Sequence, residues 1–373
     1  MSHVASVTSL AAPATRALFL VADSREACGV EVFTRKLVAA LAAGEGGCEL
    51  YPVSGRWRDL PAAMARVAQA ERVVFGLPLV AWKRVLAGPL LLLLTAAVTR
   101  GRIVVFLHEW EALHWLRRLV LAPFVLFAGS IVVLSPYIRD QIAGDRWIAR
   151  AAGKCRLVPH PPTIAPPRER MVTQAVRRVE EAGKTSDLVI GCFGSIYKGK
   201  APDALLDVCD HLRRRGVHAT AVFVGGFTQS LDRYEARFRA RVAALGLDEQ
   251  VIVTGYVASE AELYALFERI GVFLFLFPEG MTARRSSVIA CLQSNRPVIV
   301  SAPRTRGEFA HHRGLTALIE DGALAFVAQS ASAAEIADAL LAAARRKTGI
   351  RELIDGDAWW KATLAATRAA LQA

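Results

Sequence analysis

Cysteine is scarce in this chain and is not arranged for any shared task. The six thiols, Cys28, Cys48, Cys155, Cys192, Cys209 and Cys291, form no C-x-x-C pair and no metal-ligand spacing across 373 residues. That argues against zinc fingers, zinc ribbons and a disulfide-stapled framework. Cys192 and Cys291 sit inside apolar runs, where a buried thiol is the ordinary outcome, and the set implies a reducing compartment. A DxD-like acidic cluster for a divalent metal is not evident either. The first residues, MSHVASVTSLAAPATRA, lack a basic start followed by a long apolar core, so no secretory leader is expected.

Long uncharged runs are equally few. Pro89 to Val98 is short and is flanked by Arg84 and Arg100. Leu119 to Ser135 has 17 uncharged residues, near the lower limit for a membrane span. Pro123, Gly129 and Ser130 divide it into a helical piece and a β-branched piece, IVVLS, that reads as a buried parallel strand. Acidic residues are outnumbered, 34 Asp and Glu against 46 Lys and Arg, and the imbalance is local. Residues 1–187 carry a net +9 and residues 188–373 a net +3. No helix-turn-helix or aromatic-basic RNA-binding signature accompanies the excess, so nucleic acid is not the expected partner. An anionic lipid surface suits a chain that is 53% hydrophobic with a mean hydropathy of +0.32.

What the chain does contain is strand-helix alternation, repeated twice. The first series runs through Ala17–Ala22, Glu49–Val53, Arg72–Leu77, Arg102–His108, Ile131–Ser135 and Arg156–Pro159, with helical periodicity between them. Pro161, Pro162, Pro166 and Pro167 then interrupt it, and a polar segment follows to Ser186. The second series runs through Leu188–Phe193, Thr220–Val224, Val251–Thr254, Val272–Phe277, Pro297–Ser301 and Leu324–Val327. Alternation of this kind predicts α/β architecture with parallel sheets, whose ligands bind at the carboxyl ends of the strands. The expected domains are 1–168, a linker 169–187, a second domain 188–350 and a terminal helix 351–373.

One stretch organises the rest: LVIGCFGSIYKGKAPDALL, from Leu188 to Leu206. A strand that stops at Gly194 and turns through Lys198, Gly199 and Lys200 into a helix near Pro202 aims backbone N–H groups at one spot. Lysines beside such a spot favour phosphate, although any strand-to-helix turn can carry Gly and Lys. His108 closes the fourth strand beside Glu109 and Glu111, where an imidazole either contacts a ligand or caps a turn. After it, LHWLRRLVLAPFVLFAG combines Trp115, Arg117 and Arg118 with an apolar face. That pattern suits an interfacial helix and an ordinary core helix equally well.

From Leu188 to about Arg346 the order and spacing of several short motifs resemble the donor domain of retaining glycosyltransferases of family 4. The motifs are Gly194 with Lys198-Gly199, Val224-Gly225-Gly226, Gly255-Tyr256-Val257, Ser259 with Glu262-Leu263, Phe277-Pro278-Glu279-Gly280, and Pro297-Val298-Ile299. The resemblance extends more loosely to Gly29 after the first strand, to His108, and to DAWWKATLAATRAAL, similar to the family's last helix. It implies a GT-B fold: two Rossmann-like doubly wound domains facing a central cleft, with the C-terminal helix crossing back to the N-terminal domain. Trp359 and Trp360 would pack there or simply in a core.

The resemblance further implies transfer of a sugar from a nucleotide-sugar donor to a glycan or lipid-linked acceptor, with retention and without metal or other cofactor. His108 would lie over the sugar and Glu279 would hold its hydroxyls. Donor contacts would come from Gly29, Gly194, Ser195, Lys198, Gly199, Gly226, Tyr256, Val257, Arg284, Arg285 and Ser286. The expected location is cytoplasmic, on the inner face of the cell membrane. Two departures stand out. The family's glutamate pair, spaced by seven residues, falls on Thr282 and Ala290, and the arginine usual after the first glycine is Ser195. Arg284 or Arg285 is the expected substitute clamp, because a guanidinium fork suits phosphate oxygens. A non-catalytic nucleotide-sugar-binding relative is the alternative reading. An epimerase is a poorer one, since its acid and base carboxylates find no place.

Overall fold

The computed structural model describes residues 17–23, 29–45, 47–82, 85, 87–99, 101–228, 234–346 and 349–373. The leader reading of the first residues, most of the polar stretch from Asp23 to Cys28, and the flanking Arg84 and Arg100 lie outside them. The chain divides into two compact units. One comprises 1–133, 138–158 and 364–373, and the other comprises 134–137 and 159–363.

The first unit holds a parallel six-stranded sheet, β1 (Ala17–Ala22), β2 (Cys48–Val53), β3 (Arg72–Leu77), β4 (Arg102–Leu107), β5 (Ser130–Val133) and β6 (Cys155–Leu157). Their order across the sheet is β2-β1-β3-β4-β5-β6. The second unit holds β7 (Leu188–Phe193), β8 (Ala219–Val224), β9 (Val251–Val253), β10 (Val272–Phe275), β11 (Val298–Ser301) and β12 (Leu324–Val327). Here the order is β12-β11-β10-β7-β8-β9, also parallel throughout. Both orders reverse direction once, next to the unit's first strand, which is the doubly wound pattern of a Rossmann-like sheet.

Strand pleating builds the second unit's two cores. Val189, Val222, Val224, Phe273, Phe275, Val298 and Val300 point into one helical layer. Their neighbours Leu188, Ile190, Ala221, Phe223, Val272, Leu274 and Ile299 point into the other. Because side chains alternate along a strand, a sheet covered on both faces reads as a continuous apolar run. That is how the sequence shows these strands.

Three expectations need correction. The linker 169–187 contains the helix Gln174–Thr185, whose Val176 and Val179 are fully buried in the second unit's core. Thr173 caps it by accepting from Val176 N–H, and Arg269 ties Glu180 to the neighbouring helix end at 2.8 Å. Two apolar residues one turn apart suffice for a helix lying on a core, while its solvent face supplies the polar composition that suggests a linker. The periodicity between β3 and β4 predicts a helix near Ala81–Val98; it begins instead at Ala87, with Pro89 in its first turn, where a missing N–H costs nothing. The terminal helix Gly356–Gln372 does not belong wholly to the first unit. Trp359 packs in the second unit's core with its ring 4.7 Å from that of His312, and Trp360 Nε1 donates to Pro162 O at 3.1 Å. Only 364–373 group with the first unit, where Arg72 Nε donates to Leu371 O at 2.8 Å.

The segment Leu119–Ser135 is two elements, the helix Trp115–Phe127 with Pro123 inside it and β5. Among the described residues no helix is long and apolar enough to cross a membrane. If the helix Gln174–Thr185 is part of the core, Val179→Ala destabilises the second unit by about 1–3 kcal/mol, while exposed Arg178→Ala stays within about 0.5 kcal/mol. Urea unfolding of the two variants measures both; equal, small effects would restore the linker reading.

Candidate functional site

In the second unit the sheet order turns between β7 and β10, so the crevice a ligand would use lies beyond their carboxyl ends. The loops there are held tightly. Gly194 N–H donates to Val224 O at 3.0 Å, Ile196 N–H to Gly226 O at 2.9 Å, and Gly225 N–H to Thr254 Oγ1 at 3.1 Å. Gly225 adopts φ +155, and a Cβ there would stand 2.2 Å from Gly194 O. Only glycine lets these two backbones meet.

Two helices begin at this edge without a side-chain cap, Pro202–Arg214 and Ser286–Gln293. The first is preceded by Ala201 in the left-handed region, φ 48 and ψ 45, an uncommon conformation for a residue with a Cβ. Uncapped helix N-termini carry partial positive charge that suits an anion.

Cations gather at the same place. The amine of Lys200 lies over Gly194, 2.6 Å from where a Cβ would stand, and 5.8 Å from the Tyr197 ring centroid. Burial pushes its pKa down, and the nearby Arg285 charge pushes the same way. Arg285 stacks on Phe277, its Cζ 4.1 Å from the ring centroid, and pairs with Glu279. Arg284 approaches the same carboxylate oxygen, Oε1, at 4.0 Å. Lys200 and Arg285 are therefore near enough to repel, and Glu279 is shared between two guanidinium groups.

Behind the arginines lies a carboxylate that sequence reasoning did not single out. Glu308 is 1% exposed. Its Oε1 accepts from Ala283 N–H at 2.8 Å and Ser135 Oγ–H at 2.5 Å, and its Oε2 accepts from Tyr137 N–H at 3.2 Å. It fixes the loop immediately before Arg284. Burial raises its pKa, the hydrogen bonds and the Arg284 charge opposing that shift. A lone glutamate in a polar stretch offers no local signal of such a role.

The expected donor residues thus fall into two groups. Gly194 and Gly226 lie on the loops after β7 and β8, and Arg284, Arg285 and Ser286, with Glu279 that was expected at the sugar, lie on the segment after β10. Lys198, Ser195 and Gly199 are exposed on the loop after β7, so Lys200 is the lysine turned inward. Tyr256 is 75% exposed, while Val257 rests against the core. Thr282 and Ala290, which occupy the register of the family's glutamates, are both buried. In the first unit His108 is buried just beyond β4, its N–H donating to Leu77 O at 2.9 Å. Its ring lies edge-on to Phe33 at 6.3 Å, on the helix Gly29–Glu45 that Gly29 opens. No group of three His, Cys, Asp or Glu side chains among the described residues is placed to hold a metal.

Two doubly wound parallel-sheet units in one chain are the components of the GT-B fold. Residues 187–346, within the second unit, match the family model described as glycosyl transferases group 1. No curated protein matches the chain by sequence. Solved structures share its fold at low identity. HepE of Anabaena, in complex with UDP and glucose, is 14% identical with a TM-score of 0.59, over 96% of this chain and 95% of that one. Sucrose-phosphate synthase of Thermosynechococcus elongatus is 16% identical with a TM-score of 0.58, over 96% and 94%. WaaG, a glycosyltransferase involved in lipopolysaccharide biosynthesis, is 13% identical with a TM-score of 0.56, over 95% and 98%.

Glu308 also gives a pH signature. Its folded pKa lies above the unfolded one, so the folded state binds the extra proton, and acidification from neutral pH toward the ordinary carboxylate range favours the native protein at this residue. Relative to Glu308→Gln, which cannot titrate, the wild type therefore gains stability as pH falls from 7 toward 4.5. Urea unfolding of both proteins at the two pH values checks this, and a constant difference would refute it.

Proposed function

We propose that the chain transfers a sugar from a nucleotide-sugar donor to the hydroxyl of a glycan or lipid-linked acceptor, with retention of anomeric configuration and without a metal. The observation that carries this reading is the gathering of Lys200, Arg284 and Arg285 beside the glycine turn after β7, with Glu279 held between the two arginines. In the reaction the bond between the sugar's anomeric carbon and the diphosphate oxygen breaks and a bond to the acceptor oxygen forms. The acceptor's proton leaves with the departing nucleoside diphosphate. The charge that grows on the leaving oxygens is the largest electrostatic demand, and fixed donors in a partly desolvated site meet it without reorganising.

Arg285, stacked on Phe277 and paired with Glu279, is held ready as a phosphate fork, and Lys200 adds a point charge over Gly194. Glu279, held by both arginines, is the carboxylate offered to the sugar hydroxyls. Lys198 serves the outer side of the same loop. Gly226, Tyr256 and Val257 would face the nucleoside, with Ser195, Gly199 and Ser286 supplying hydrogen bonds to phosphate. In the first unit, Gly29 and His108 are the residues offered to the transferred sugar and acceptor. HepE, a structural relative, is seen with UDP-glucose, which makes that compound the first donor to try.

A membrane location on the inner face of the cell membrane belongs to the same proposal. The helix Ala87–Val98 exposes Leu90, Leu94 and Val98 four residues apart, and the helix Trp115–Phe127 exposes Trp115, Leu116, Leu119 and Phe127 beside Arg117 and Arg118. Apolar side chains with adjacent guanidinium groups suit the boundary of an anionic bilayer.

For the donor site, Lys200→Ala and Arg285→Ala each weaken UDP binding roughly tenfold or more, whereas Lys198→Ala has the smaller effect on binding. Isothermal titration of the folded variants, together with release of UDP from UDP-glucose, measures this; unchanged affinity in both inward-facing variants would end the assignment. For the surface, the protein floats with vesicles of phosphatidylcholine and phosphatidylglycerol but not of phosphatidylcholine alone, and Leu119→Glu with Phe127→Glu abolishes it. Flotation indifferent to lipid charge would count against the proposal.

A further inference from the structure

The first unit contains a cavity of about 300 Å³ that none of the donor chemistry uses. That is the lower end of the size range of small-molecule sites. Its floor is apolar, made by Val53, Ala63, Trp82, Val85 and Leu92. Trp82 is held rigidly there, its ring 6.3 Å from Phe75 and 6.1 Å from Phe124. The opening lies at the carboxyl ends of β1 and β2, where Asp23 and the loop 54–59 form the rim. Gly55, at φ +72, closes the loop onto the floor, since a Cβ there would meet Ala81 O at 2.5 Å. The cavity is thus built by close backbone approach and aromatic packing.

The rim decides what class of ligand enters. Among the described residues it carries Arg56 and Arg58 against Asp23 and Asp59, so the formal charges cancel. Asp59 accepts from Ser54 Oγ and lies 3.6 Å from Arg58, while Trp57 stands 63% exposed beside them. A phosphate head would meet two carboxylates, and a purely apolar ligand would cover a charged rim without offering it a hydrogen bond. A hydroxyl-rich, uncharged head satisfies both signs, because each hydroxyl donates to a carboxylate and accepts from a guanidinium. An indole at the mouth adds a flat apolar face.

We propose that this cavity is an acceptor subsite for a glycoside whose uncharged sugar lies at the rim and whose apolar aglycone enters the floor. The assignment deepens the glycosyltransferase reading and rests on it for the word acceptor, but the binding itself does not. Octyl β-glucoside, in monomeric form, is the probe, titrated into the full chain against glucose and octyl phosphate. Octyl glucoside binds at least tenfold more tightly than either, and Ala62→Trp, on the exposed side of the mouth, removes that binding while leaving UDP affinity unchanged. Trp57→Ala weakens it about fivefold or more. Octyl phosphate binding as tightly as the glucoside, glucose matching it, or Ala62→Trp binding normally would each overturn the proposal. UDP affinity measured on the same samples keeps the two readings apart: no glucoside binding with UDP bound defeats the subsite alone, and loss of UDP binding defeats the donor reading.

Discussion

Like charges held close together without water must be answered, and the second unit is built around one such case. Lys200 and Arg285 both reach the edge of β7, each partly stripped of solvent, and burial together with mutual repulsion pulls the lysine's pKa down. Glu279 compensates only in part, because both Arg284 and Arg285 lean on one of its oxygens. The lowered lysine pKa records the electrostatic cost of holding these two cations near each other in a partly buried place. The same logic explains why the helices starting there lack side-chain caps: a cap would fill the position an anion needs.

The supporting structure is concerned with holding that arrangement still. Gly225 lets the loops after β7 and β8 touch, and Phe277 gives Arg285 a flat surface to rest on. Glu308 pins the backbone before Arg284 from behind, with three donors converging on one buried carboxylate. Its raised pKa says that desolvation outweighs those donors, so the group is retained at some expense to stability. That is the usual balance for a buried charge whose benefit is geometry. The low identity to structures of the same fold, 13–16%, fits a scaffold in which such positions are set by backbone form more than by residue identity.

The first unit shows the opposite chemistry. Its surplus is apolar surface and a balanced rim of charge, with seven large hydrophobic side chains exposed on the helices Ala87–Val98 and Trp115–Phe127. Its cavity has an apolar floor and, among the described residues, two acids and two bases around the opening. Part of this contrast is already visible in the sequence, whose N-terminal half carries most of the basic excess.

All twelve strands were legible in order, and four with the same bounds, because a parallel sheet covered on both faces demands unbroken apolar runs that few other structures produce. The glycines after β7, β8 and β9 were legible too, since a strand ending in glycine before a helix has few uses. Composition also located the apolar, basic half. Helix Gln174–Thr185 was not legible, because two buried valines are too faint a stripe against seven charged or polar neighbours. Nor was the choice between Lys198 and Lys200. Both lie in one short turn, and which amine faces inward depends on backbone angles such as those of Ala201, which no spacing encodes. Glu308 is set by contacts with residues 25 and 173 positions away, so only the folded chain decides its role. Local periodicity determines what each segment becomes; the charges that will be neighbours are decided by how those segments are stacked, because electrostatic partners are chosen by distance in space and not along the chain.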